Sequence, residues 1–227
     1  MTRWIPTGSV LLDKVLEGGF PSGMISLVYG EAETGKSTLA MQSALSCATM
    51  GFKTLYVDSD GTFSPERLLQ LGAYNYREAL DLIMIVRPSS FDEQAEIIDS
   101  LDRYINERFA LLVFDTITSL YRQEVANTGE SFHVNRELNR QVATIEQIAK
   151  IFDLAVILVS QVRGLFGERV MPVATRVLKF WSDNVLSLNK TGRSNVIRAV
   201  VEKKNGAETD ITFLLAIEEN GIRDHIS

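Results

Sequence analysis

Gly30-Glu31-Ala32-Glu33-Thr34-Gly35-Lys36-Ser37 lies between an apolar run, Met24 to Tyr29, and a helix-forming stretch from Lys36 to Met50. The spacing G-x-x-x-x-G-K-[ST] is that of a strand turning tightly into a helix around a phosphate. Glycines let the main chain wrap an anion closely, and successive N–H groups at the helix start point inward at it. Lys36 has the reach for the outer phosphates of a nucleoside triphosphate, and the Ser37 hydroxyl can ligate magnesium. A tight turn without phosphate is the blander reading, but residue frequencies give this pattern in roughly one chain in a hundred of this length. The expected fold is α/β: a doubly wound, mostly parallel sheet with helices on both faces.

The rest of the chain supplies elements for such a sheet. Thr7-Gly8-Ser9 opens an amphipathic stretch, Val10 to Glu17, that Gly18-Gly19 should end in a left-handed cap. Thr54 to Asp58 is expected as a strand, and Ser64-Pro65 as the start of a helix ending near Gly72. Leu82 to Val86 should be another strand. Phe91 to Glu107 should be one helix, with Phe91, Ala95, Ile98, Leu101 and Ile105 at helical spacing. Leu111 to Phe114 is an apolar run ending in Asp115, as in a central parallel strand. Residues 117–131 are expected to be irregular, His133 to Phe152 a long helix, Ala155 to Val159 a buried strand, and residues 162–173 a loop. Val185 to Leu188, Val196 to Val201 and Ile211 to Ile217 extend the sheet with late antiparallel strands, with Thr191-Gly192-Arg193-Ser194 as a hairpin turn. With no internal repeat and no linker, residues 1–227 are expected to form a single core domain.

At 227 residues, 45% hydrophobic and 23% charged, the chain has the balance of an ordinary soluble globular protein. No apolar run reaches the ~18 residues of a bilayer span, and no basic-then-apolar leader opens the chain, so a cytoplasmic location is expected. One cysteine, Cys47, cannot close an intramolecular disulfide and sits in an Ala- and Ser-rich stretch, the mark of a small buried thiol. His133 and His225 are too isolated to suggest a metal site. The net charge of −6 is uneven. Residues 1–160 carry 13 Lys and Arg against 21 Asp and Glu, whereas residues 161–204 carry 9 against 3. A fold can gather that second set onto one face, so overall acidity does not exclude DNA.

The second half of such a site needs a carboxylate at the end of a neighbouring apolar strand, and Asp115 fits, placed to hold magnesium through water. Asp58 and Asp60 end the adjacent strand, and either can face the outer phosphate. Gln161, just past Val159, can report whether that phosphate is present. Arg163, Arg169, Arg176, Lys179, Lys190, Arg193, Arg198, Lys203 and Lys204 follow it, with Phe166, Phe180 and Trp181 as candidate base-stacking surfaces. The bland alternative for these is a solvated face and a packed aromatic pair.

Several blocks resemble the ATPase core of RecA-family recombinases of the archaeal and eukaryotic kind. They are Ile5-Pro6-Thr7-Gly8-Ser9 with Leu12-Asp13, the phosphate loop, and Tyr56 to Arg67. Asp115-Thr116-Ile117-Thr118-Ser119-Leu120-Tyr121-Arg122 and Val159-Ser160-Gln161-Val162 complete them. The likeness runs over almost the whole chain and is loose after about residue 165. In length and architecture it is greatest to an archaeal paralogue that is little more than the core. The resemblance implies ATP and Mg2+ as cofactors. It places phosphate contacts at Gly30, Glu31, Ala32, Glu33, Thr34, Gly35, Lys36, Ser37 and Thr38, magnesium at Ser37 and Asp115, and Arg67 near the adenine. Gln161 becomes a switch between the nucleotide and DNA-facing loops near 123–131 and 162–173, with Arg163, Arg169 and Arg176 as DNA contacts.

Two departures matter. The chain begins just before the core, without the recombinases' N-terminal helical domain and linker, so filament growth by that route is not expected. The family's catalytic Glu is matched by Asp60, one methylene shorter, and ~1 Å of misplacement can cost about a hundredfold. The expectation is an ATP-binding, DNA-binding accessory protein of homologous recombination and repair. It would be at most a weak Mg-dependent ATPase, without strand exchange of its own. Its implied partners are DNA, the main strand-exchange recombinase and a Holliday-junction-cleaving enzyme, with a homo-oligomer left open. The alternative is a RecA-like, ring-forming regulatory ATPase of the circadian-clock or signalling type that acts on protein partners. A small-molecule kinase ranks third, because it wants an arginine-rich lid and a defined acceptor pocket.

Overall fold

The computed structural model describes residues 2–72, 80–166, 169–172 and 174–225, with 163–166 and 169–172 described by backbone alone. Its centre is β3 (Ile25–Gly30), a strand buried at every position, as a parallel strand covered on both faces must be. On one side β3 pairs in parallel with β7 (Ala155–Phe166), and β6 (Phe109–Asp115), β4 (Lys53–Asp58) and β5 (Ile83–Val86) follow, all parallel. On the other side it pairs in parallel with β9 (Asn184–Lys190). Antiparallel β10 (Val196–Lys204), β11 (Ala207–Glu218) and β12 (Gly221–Asp224) extend that side. A short antiparallel pair, β1 (Trp4–Ile5) with β2 (Phe20–Pro21), stands apart. This is the expected mostly parallel sheet with late antiparallel strands, except that β9 itself joins the parallel set.

Side-chain alternation along each strand builds two cores, one per face. Val28, Leu111 and Val113 face a layer that includes Leu39, Ala40 and Ala44 of α2 (Lys36–Thr49), and α1 (Val10–Val15) and α3 (Pro65–Leu71) lie in the same layer. Leu27, Tyr29, Leu112 and Phe114 face Leu138, Val142, Ile145 and Ala149 of α7 (Ser131–Phe152). Around α7 lie α4 (Phe91–Asp99), α5 (Leu101–Tyr104), α6 (Ser119–Thr128) and α8 (Thr175–Trp181). Burying one such Leu or Ile gives about 1.5–3 kcal/mol, so packing, more than helix propensity, fixes α7 against the sheet. Among the described residues no helix is long and apolar enough to cross a membrane.

The expected single helix over Phe91 to Glu107 is two. Ser100 Oγ donates to the carbonyls of Glu96 (2.8 Å) and Ile97 (3.0 Å), competing with the helical ladder where the chain turns. Residues 119–128, expected to be irregular, form α6. Leu120 and Tyr121 bury against the α7 layer, and Gly129 closes the helix at φ 69°. The stretch 162–173, expected to be a loop, carries most of a β-hairpin: β7 continues to Phe166 and pairs antiparallel with β8 (Arg169–Pro172). At the end of α1 the left-handed residue is Glu17, at φ 62°, followed by Gly18 and Gly19 at 132° and 117°.

Candidate nucleotide site and its neighbouring groove

Gly30 of the phosphate loop is required by contact and Gly35 by its left-handed backbone. A Cβ on Gly30 would lie 2.0 Å from the Leu188 carbonyl oxygen, and one on Gly35, itself at φ 83°, would lie 2.5 Å from Ile222 Cδ1. Gly35 starts α2 without any side-chain cap, which leaves the first N–H groups of a fourteen-residue helix turned toward the loop. Lys36 Nζ (2.6 Å) and Thr34 Oγ1 (2.9 Å) both donate to the Glu31 carbonyl and hold the loop closed on itself. Glu31 Oε2 accepts the Lys190 N–H at 3.0 Å, pinning the loop to the end of β9. Lys36 is buried, and burial holds its ammonium below the ordinary lysine value while Asp115, Asp60 and Glu31 pull it back up.

Asp115 ends β6 at 2% exposure. Tyr56 donates to its Oδ2 at 2.6 Å, whereas its Oδ1 is buried with no hydrogen-bond partner. Burial raises the carboxyl above the ordinary aspartate value. The Tyr56 hydroxyl opposes that rise, and Asp60 and Asp58 add to it. An unsatisfied buried carboxylate oxygen is costly unless something positive meets it. With Ser37 beside it, the donor set is oxygen-only, which suits a hard divalent cation such as magnesium. The uncapped helix start, the two forced glycines, the buried lysine and the unpartnered oxygen therefore fit a magnesium-bound triphosphate.

The two candidate carboxylates at the end of β4 separate cleanly. Asp58 accepts the N–H groups of Thr62 (3.0 Å) and Phe63 (3.1 Å) and the Arg87 Nε–H (2.9 Å), so it is committed to shaping its own turn. Asp60 is left on the far side of that turn, 3.4 Å from Gln161 Nε2. Gln161 is the register partner of Gly30 and also accepts a hydrogen bond at Oε1 from Arg122 on α6. Arg67 donates to the carbonyls of Glu219 (2.6 Å) and Glu218 (3.3 Å), in the turn whose next strand brings Ile222 against Gly35.

Beyond Gln161 lies a groove of about 610 Å³ between α6, the start of α7 and the start of α8, with Arg122 and Arg176 on its walls. The side chains of Arg163, Arg169 and Phe166 lie outside the described residues; their main chain is in β7 and β8. The basic set expected on one face is otherwise largely spent on internal contacts. Lys179 pairs with Glu202 (2.6 Å), Lys190 with Glu33 (3.1 Å) and Lys204 with Glu17 (2.9 Å). Lys203 donates to the Ser182 carbonyl at 2.6 Å. Of the candidate stacking residues, Trp181 donates to Asn139 Oδ1 at 2.9 Å and packs on the core, while Phe180 is 73% exposed. Sequence reasoning gave no role to Arg122, Tyr56 or Arg87. Tyr56 and Arg122 lie in recognisable blocks and Arg87 just after a strand, but their partners are distant in the chain.

The Rad51 family profile matches residues 2–225. The protein named DNA repair and recombination protein RadB from Thermococcus kodakarensis is 36% identical over 224 residues, covering 97% of this chain and 99% of that one. Its counterpart from Methanococcoides burtonii is 29% identical, covering 93% and 94%. A crystal structure of the RadB recombinase superposes with a TM-score of 0.84 at 36% identity, covering 98% of this chain and all of that one. The chain belongs to the Rad51 family and stands with its RadB members.

Proposed function

We propose that this protein is a nucleotide-responsive, DNA-binding accessory factor of homologous recombination and repair, with weak ATPase activity and no strand exchange of its own. The observation that carries the reading is the arrangement around Asp60. Asp58 is engaged by its own turn and Arg87, which leaves Asp60 as the group able to orient an attacking water. Lys36 and the N–H groups at the start of α2 would hold the phosphates, and Ser37 with the unpartnered oxygen of Asp115 would hold Mg2+. When bound, the metal supplies charge neutralisation on the phosphate oxygens. Asp60 reaches one methylene less far than a glutamate would, so its hold on the water is loose and turnover slow. Arg67 lies by the turn that covers the phosphate loop, which suits a contact with the base.

The groove carrying Arg122 and Arg176, together with Arg163 and Arg169 of the β7–β8 hairpin, is the surface we assign to DNA phosphates. The resemblance also supports work beside the main strand-exchange recombinase and a Holliday-junction-cleaving enzyme. The test is a DNA-binding titration across a salt series. Affinity should fall steeply with salt, because each neutralised phosphate releases counterions. Replacing Arg163, Arg169 and Arg176 together with alanine should weaken binding by a similar factor on unrelated sequences. It should also flatten the salt slope by ~1 for each phosphate no longer neutralised. An unchanged slope moves the DNA surface elsewhere, and no binding at low salt ends the DNA reading.

A further inference from the structure

We propose that Arg122 is the positioning residue that couples the nucleotide site to the groove, by fixing the amide of Gln161; this rests on the assignment of that groove to DNA. Three side chains from three segments form a line. Arg122 on α6 donates to Gln161 Oε1, and Gln161 Nε2 donates to Asp60 Oδ2 at 3.4 Å. A guanidinium offers only donors and an ionised carboxylate only acceptors. An amide set between them satisfies both in one orientation alone, its oxygen toward Arg122 and its NH2 toward Asp60. Without Arg122 the amide keeps only its long contact to Asp60, so Gln161 is held at one end and is free to leave this orientation.

Arg122 is also part of the groove. It is exposed there with Arg176, and the helix that carries it is held to α7 by Tyr121 Oη donating to Asn135 Oδ1 at 3.1 Å. A guanidinium bonds a phosphate bidentately, through charge-assisted contacts stronger than its single bond to a neutral amide. A phosphate in the groove therefore competes with Gln161 for Arg122, and a change at Asp60 alters how firmly Gln161 holds it. Both ligands act on one side chain, so each must change the affinity for the other by the same factor.

The experiment measures the affinity of the full chain for fluorescent oligothymidylate with and without Mg2+ and a hydrolysis-resistant ATP analogue. The wild-type ratio should lie in the range ~5–150-fold usual for coupled sites. Arg122→Ala and Gln161→Ala should each bring the ratio to within about twofold of one, and the double variant should go no further, since they act through one contact. A thermal melt confirms that each variant is folded. The coupling is overturned if Arg122→Ala keeps the wild-type ratio or if nucleotide leaves wild-type affinity unchanged. It is also overturned if Arg122→Ala abolishes DNA binding in both nucleotide states, which makes the arginine a phosphate contact alone. Absence of DNA binding by the wild type instead overturns the assignment of the groove.

Discussion

Asp60 is the residue on which the catalytic reading turns. In the function proposed here it takes the place of the recombinases' glutamate, while its neighbour Asp58 is engaged by three hydrogen bonds. Asp60→Glu should therefore raise the rate of phosphate release, by on the order of 10–100-fold if the missing reach is the main defect. A rate equal to or below the parent would place the water-orienting group elsewhere. Cys47 gives an independent check on packing. Burial pushes its thiol up to about 11, so at pH 8 only ~0.1% is thiolate, the species that alkylates. Iodoacetamide should leave it untouched in the native protein and label it fully in guanidinium; rapid native labelling would contradict the packed α2 layer. The phosphate loop, Asp115 and the buried thiol were legible from spacing and neighbours. Tyr56 as the residue orienting Asp115 was not, because the two are 59 positions apart and meet only when β4 pairs with β6.

At the scale of elements, β12 shows how the fold supports the phosphate loop. Gln42 of α2 bonds Ile222 both ways: the Ile222 N–H donates to Oε1 at 2.6 Å, and Nε2 donates to the Ile222 carbonyl at 3.2 Å. Ile222 in turn packs against Gly35. Gln42→Ala leaves a buried N–H and C=O without partners, at about 2–4 kcal/mol. For a chain of this size that lowers Tm by roughly 5–15 °C; a shift under about 2 °C would mean that β12 is held by other contacts. The apolar strands β3, β6 and the start of β7 were legible because burial on both faces writes them as continuous apolar runs. The helix α6 and the β7–β8 hairpin were not. Leu120, Tyr121 and Val125 are too few to mark a period, and their helix is fixed by packing on α7.

Across the whole molecule, the order of strands brings the functional parts to one edge. Parallel pairing sets Gly30 beside Gln161 and Asp58 beside Asp115, so the phosphate loop, Gln161 and Asp115 gather at the carboxyl ends of neighbouring strands. Charge distribution was the least legible feature at this scale. The run of nine basic residues suggested one face, but four lysines are spent on carboxylates or carbonyls within the fold. Arg176 instead joins Arg122, a residue outside that run. All of this depends on the phosphate loop being the nucleotide site. Equilibrium binding of a fluorescent ATP analogue in Mg2+, with Lys36→Ala beside the wild type and a thermal melt of each, tests that most directly. Affinity should fall on the order of 10–100-fold with the melt retained, because Lys36 is a charged partner for phosphate and not a core side chain. An unchanged affinity in a folded Lys36→Ala protein would contradict the assignment of the site.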